Sequence, residues 1–178
     1  MDFDFDSEQI LLRDNIRRYM RNKVSPRIDD CEKEKRIPLD LLAGITQFGY
    51  IGGMLPEKDG GLELDFITWA MMLEEVGYFW GSLRTIVNTT NIFMRLVSQY
   101  GTEDQKTHFL EPVMASLKST AVAISEPNHG SNPAGIETRA DDKGDHYLLN
   151  GSKLWITNGL SADYVIVLAR TYSGTSDG

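Results

Sequence analysis

The chain has 178 residues, 41% of them hydrophobic and 25% charged, with 26 acidic and 18 basic side chains giving a net charge of −8. That balance argues against a nucleic-acid binder, which would normally carry a basic face. The single cysteine, Cys31, excludes an internal disulfide and argues against a Cys-based metal cluster. No apolar run reaches bilayer-spanning length. The acidic start, Met1-Asp2-Phe3-Asp4-Phe5-Asp6, is unlike a signal peptide. These features point to a reducing aqueous compartment, the cytoplasm or a mitochondrial matrix.

The chain changes character near residue 118. Helical apolar spacing precedes it, and short β-type runs separated by turns follow it. Ser7 is the expected cap of a helix running to about Val24, with Leu12, Ile16, Tyr19 and Met20 on one side. Pro26 ends it or starts the next. The charged stretch 26–36 reads as a solvated helical turn or connector. Pro38 suits the first position of a short helix carrying Leu39, Leu42 and Ile45, with Gly49 near its C-terminal cap. Residues 49–64, rich in glycine, read as an extended loop. Asp65 caps an apolar helix that Gly77 and Gly81 are expected to interrupt. The cluster Trp69, Met71, Met72, Phe79 and Trp80 reads most simply as helix core. A further helix spans Ser82 to Tyr100. Thr102 with Gln105 has capping-box spacing for a helix to about Ser116.

From Thr120 the reading is β. Ala121 to Ile124 is a short buried strand. Residues 146–149 and 152–157 flank Asn150-Gly151, a two-residue hairpin signal. Tyr164 to Ala169 is another strand. The expected architecture is α+β: an all-α domain over 1–118, then part of a β-barrel-like domain over 119–178. Such a sheet leaves open edges, which a continuation or another polypeptide is expected to cover.

Two segments carry the chemistry. Ser125-Glu126-Pro127-Asn128-His129-Gly130-Ser131-Asn132 contains a Gly-Ser turn able to offer backbone N–H groups and a hydroxyl to a pyrophosphate. Leu154-Trp155-Ile156-Thr157-Asn158-Gly159 offers a flat apolar surface in Trp155 and a hydroxyl in Thr157. Ordinary readings stand beside these: a plain turn for the first, a core Trp in a hairpin for the second. Neither a Rossmann glycine fingerprint nor a Walker loop is present. His108, His129 and His146 lack metal-ligand spacing.

The order and length of the two segments resemble the middle domain of the flavin-dependent acyl-CoA dehydrogenase family. The first part, with Tyr100-Gly101-Thr102-Glu103-Asp104-Gln105-Lys106 before the strand, resembles that family's N-terminal domain. The resemblance implies FAD as cofactor, lined by Val122, Ile124, Ser125, Gly130 and Ser131, with Trp155, Ile156 and Thr157 packed on its ring. It implies removal of an acyl thioester's α-proton by a carboxylate and hydride transfer to the flavin. Ser131 also lies near acyl-CoA in the family. Asn132 stands where the family usually has Asp. The family's catalytic Glu lies in a C-terminal helical bundle that this sequence is expected to lack, and Glu126 does not match it.

The wording around Glu126 to Ser131 and Glu137 to Arg139 is most similar to the glutaryl-CoA dehydrogenase branch. That branch implies a distal substrate carboxylate held by an Arg, here Arg84. Thr85 is the second candidate, because the local match fits to within a residue. The implied partners are acyl-CoA, a C-terminal polypeptide, an electron-transferring flavoprotein and further copies in a homotetramer. An acyl-CoA oxidase and a non-catalytic interaction module are the alternatives.

Overall fold

A computed structural model describes residues 4–171. The chain divides into two compact units, Met1–Ser119 and Thr120–Gly178.

The first unit is helical. Helix α1, Ser7–Tyr19, is capped by Asp6 and not by Ser7. Asp6 has a Gln three residues on, so both halves of a capping box form: Gln9 N–H donates to Asp6 Oδ1 at 2.8 Å and Asp6 N–H to Gln9 Oε1 at 3.1 Å. Ser7 has Ile10 at that position and could form only half of it. A π-helical turn, Met20–Val24, and a 3-10 turn, Ser25–Arg27, lead into α2, Ile28–Glu34. Pro26 has no N–H to continue an α-helical ladder, and the irregular turns absorb the defect. Helix α3 covers Leu39–Thr46, with Pro38 as its extended cap and not its first helical residue.

Residues 49–64 form a compact turn rather than an extended loop. Leu62 and Leu64 N–H groups both reach the Gly53 carbonyl, and Glu63 N–H reaches Leu55. A Cβ on Gly53 would stand 2.2 Å from the Gly49 carbonyl oxygen, so this packing demands glycine. Helix α4, Phe66–Phe79, runs straight through Gly77. The break falls at Trp80, whose extended backbone starts α5, Gly81–Tyr100. The Thr102 capping box opens α6, Glu103–Met114, two residues shorter than its pattern suggested. Ser116, in the left-handed region at φ 54°, closes it.

Helix α4 packs on α1 and α5, and α5 on α6. Ile16, Met20, Ile45, Tyr50, Met72, Val76, Leu83 and Val87 are wholly buried between them. The Tyr50 hydroxyl donates to the Met72 carbonyl at 2.6 Å. Glu75 is buried and takes a two-bond fork from Arg17 at 2.7 Å each.

Among the described residues the second unit has five strands: β1 (Thr120–Ala123), β2 (Arg139–Asp142), β3 (Tyr147–Asn150), β4 (Tyr164–Val167) and β5 (Arg170–Thr171). β1 pairs with β4 in parallel, Thr120 opposite Tyr164. β2 lies between antiparallel β3 and parallel β5. The hairpin expected at Asn150-Gly151 does not form. The tight turn instead joins β2 to β3, with Gly144 at φ 94° and its N–H held by Asp142 Oδ1 at 2.8 Å. Residues 152–157 leave the sheet because they pair elsewhere.

Candidate functional site

Those residues pair with the first motif. Leu154 N–H donates to the Ser125 carbonyl at 2.9 Å. The Lys153 ammonium donates to the Ile124 carbonyl at 2.9 Å and to Glu126 Oε1 at 2.8 Å. Two segments 27 residues apart are thereby held side by side in the second unit.

β1 ends at Ala123 and the chain turns. Glu126 N–H bonds the His129 carbonyl at 2.8 Å, and His129 N–H returns to Glu126 at 3.3 Å, closing a tight loop over Pro127-Asn128. A 3-10 turn, Pro133–Gly135, follows. Gly135 sits against His129, where a Cβ would come within 2.4 Å of Nδ1. Arg170 braces this turn, donating to the Ile136 carbonyl at 2.6 Å and to that of Ala134. Gly130 and Ser131 are exposed at the tip, and nothing stands within 4 Å of a Cβ built on Gly130. The tip is therefore open to an anion, and its backbone donors fit a pyrophosphate.

Trp155 is 90% exposed, whereas Trp69 and Trp80 are 8% and 5% exposed. Its backbone lies in the left-handed region at φ 60°, an uncommon and strained choice for a bulky side chain. It is neither a core Trp nor a hairpin Trp. Beside it Ile156 and Thr157 are half-buried. Asn158, also left-handed at φ 61°, anchors the loop by donating to the Thr120 carbonyl at 3.2 Å. Val122 is half-buried on β1, and Ile124 is exposed just beyond it. An exposed indole and an exposed Gly-Ser turn in the same unit suit a flat cofactor with a phosphate tail.

Glu126 is buried, at 6% exposure. Burial pushes its pKa up. The Lys153 ammonium and hydrogen bonds from Thr138 and the Glu137 backbone outweigh burial and hold the carboxyl well below the usual carboxylate range. A carboxylate so fully engaged is a poor proton acceptor at neutral pH. Neither Lys153 nor Asn158 stood out in the sequence as a site residue. The left-handed propensity of Asn was the only local signal for Asn158.

Arg84 and Thr85 lie in the helical unit, in the first turns of α5. Arg84 is exposed, and its stem passes over Gly77, with Cγ 3.5 Å from where a Gly77 Cβ would stand. The Thr85 hydroxyl donates back to the Gly81 carbonyl at 3.0 Å. Just before them, Glu32 Oε1 accepts from Trp80 Nε1 and Ser82 Oγ, both at 2.6 Å, and pins the α4–α5 junction. The helical unit also holds a cavity of about 580 Å³ lined by Leu55, Pro56, Asp59, Phe66, Arg95 and Lys106. No residue expected from the sequence to form the site lines it.

Residues 6–116 match the acyl-CoA dehydrogenase N-terminal domain, and residues 121–178 match the acyl-CoA dehydrogenase middle domain. The chain belongs to the acyl-CoA dehydrogenase family. It is 33% identical over 172 residues to the short-chain-specific acyl-CoA dehydrogenase of Clostridium acetobutylicum, covering 96% of this chain and 45% of that enzyme. Among solved structures it is similar to a glutaryl-CoA dehydrogenase of Mycobacterium smegmatis in complex with FADH2, at TM-score 0.87 and 27% identity. That match covers 96% of this chain and 44% of the other. A glutaryl-coenzyme A dehydrogenase in complex with glutaryl-CoA matches at TM-score 0.84 and 29% identity, over 94% of this chain and 43% of the other. The chain thus spans about half the length of the relatives it matches. Acyl-CoA dehydrogenases are oxidoreductases, and FAD is the family's cofactor. Among the described residues no helix is long and apolar enough to cross a membrane, and no group of three or more His, Cys, Asp or Glu is placed to hold a metal ion.

Proposed function

We propose that this chain supplies the FAD-site wall and part of the acyl pocket of an acyl-CoA dehydrogenase acting on a dicarboxylic thioester of glutaryl-CoA type. The observation that carries the reading is Trp155: exposed, left-handed and fastened beside Ser125. In this reading Trp155 and Ile156 support one face of the isoalloxazine. The Ser125 and Thr157 hydroxyls bond its edge, and Gly130 and Ser131 receive the pyrophosphate. Val122 and Ile124 wall the cofactor, and Ser131 also borders the acyl-CoA. Bound FAD accepts the hydride that leaves the substrate β-carbon. The carboxylate that takes the α-proton is assigned to no residue of this sequence, since Glu126 is committed to its ion pair.

Arg84 is the reading's carboxylate ligand. It makes no ion pair among the described residues, and its guanidinium could take a carboxylate in two parallel bonds. Thr85, whose hydroxyl is engaged by its own helix, is second. A C-terminal polypeptide, an electron-transferring flavoprotein and a homotetramer, in the cytoplasm or a matrix, complete the proposal. The flavin absorbance of the chain, measured with and without the C-terminal polypeptide, tests the cofactor part. Flavin is expected to be retained only with that polypeptide; stoichiometric flavin in the chain alone, or an absence of flavin in both, would count against it. Arg84→Ala should weaken a dicarboxylic acyl-CoA at least tenfold more than a plain one. Equal losses would remove Arg84 from the role.

A further inference from the structure

We infer that Glu126 and Lys153 form a buried clasp that sets the Ser125 turn against the Trp155 loop, acting as positioning residues for the flavin site; the inference rests on the flavin reading above. Glu126 is the second residue of the first motif and Lys153 immediately precedes the second, and both are buried away from the surface the motifs present. Its side chains are 2% and 10% exposed. Glu126 Oε2 accepts the Glu137 N–H at 2.5 Å, while Oε1 accepts the Thr138 N–H at 2.9 Å and Lys153 at 2.8 Å. Lys153 adds the Ile124 carbonyl. Three chain segments therefore converge on one carboxylate: the exit of β1, the entry to β2 and the exit of β3. The residue before Glu126 is Ser125, and two residues after Lys153 comes Trp155. Any loosening of the pair moves the candidate ring donor and the candidate ring platform relative to each other.

The chemistry of the pair makes it sensitive to small changes. Both carboxylate oxygens face N–H donors. A Gln in place of Glu126 must turn its own NH2 toward one of them, so an isosteric change breaks the arrangement. Removing Lys153 leaves a buried negative charge without its cation, whereas removing both charges relieves that mismatch. The two residues should therefore act as a unit, with non-additive effects.

The experiment uses Glu126→Gln, Lys153→Met, the double variant and Lys153→Arg, each with two readouts. The first is amide exchange at Leu154, with Leu168 as reference because its N–H bonds Ala123 in the same unit. The second is flavin affinity and the visible band of the bound flavin, in the protein completed by its C-terminal polypeptide. Expected results are at least tenfold faster exchange at Leu154 in Lys153→Met with Leu168 unchanged. Flavin affinity should fall at least tenfold in each single charge-removing variant, with an altered visible band. The double variant should be no worse than the poorer single variant, and Lys153→Arg should stay within about threefold of the parent. Unchanged exchange at Leu154, strictly additive flavin losses, or undiminished affinity in a variant whose Leu154 amide is released would each overturn the clasp. If the unsubstituted protein binds no flavin while Leu154 responds as expected, the flavin reading fails and takes the positioning role with it.

Discussion

Truncating Trp155 to alanine separates a cofactor platform from a core residue, because the two readings predict opposite patterns. The side chain is 90% exposed, so its removal takes almost no apolar surface out of the fold. Trp155→Ala should change the chain's unfolding free energy by no more than ~0.5 kcal/mol. Trp69, at 8% exposure, supplies the contrast, and Trp69→Ala should cost about 3–5 kcal/mol. Binding should respond in the opposite sense. A buried aromatic covers about 150–250 Å². One indole face against a flat ring covers about half of that, ~100 Å², which at ~25 cal/mol/Å² is about 2.5 kcal/mol. Trp155→Ala should therefore raise the flavin Kd about 60-fold. Urea unfolding followed by far-ultraviolet circular dichroism reads stability without relying on the removed indole. Flavin fluorescence titration of the completed protein reads binding. A stability loss above ~1 kcal/mol would show that Trp155 is structural, contrary to its exposure. A flavin Kd within about threefold of the parent would show that the indole is no platform.

Asp65→Ala should destabilise the helical unit by about 1–2 kcal/mol in urea melts, because one carboxylate accepts from Ile67 N–H, Thr68 N–H and the Thr68 hydroxyl. Asp65→Asn should lose less than half of that. Stability should fall on acidification below about pH 4, as seen in thermal melts across pH. The Thr68 hydroxyl lowers the pKa of Asp65, Arg27 that of Asp40, and Ser98 with Lys106 that of Asp59. Each is protonated more readily unfolded than folded, so their stabilisation is complete above the unfolded pKa and disappears as pH drops through the folded one. Flat stability down to pH 2 would contradict these contacts. Cys31 is buried, and burial pushes its thiol pKa up. Alkylation should be slow in buffer and at least a hundredfold faster in urea; prompt native labelling would show that α2 opens readily.

Much of this protein is determined by local sequence. The caps at Asp65 and Thr102, the apolar stripes of α1, α4 and α5, and the short apolar runs of β1 and β4 each follow from patterns within a few residues. The family motifs are legible for the same reason, since they are continuous runs. Tertiary structure decided what depends on distant partners. Asn150-Gly151 carries a sound turn signal, yet the hairpin forms at Gly144, because Lys153 and Leu154 bond the chain after β1 and draw residues 152–157 out of the sheet. Gly53 and Gly61 look like slack and instead permit backbone contacts too close for any Cβ. Glu126 reads as one acidic residue of a motif. Only the convergence of Lys153, Glu137 and Thr138 makes it a buried ion-pair partner, and only the folded chain shows Trp155 exposed. Bonds between residues far apart in the chain leave no periodicity or spacing to read, so exposure and charge pairing emerge only once the strands are in place.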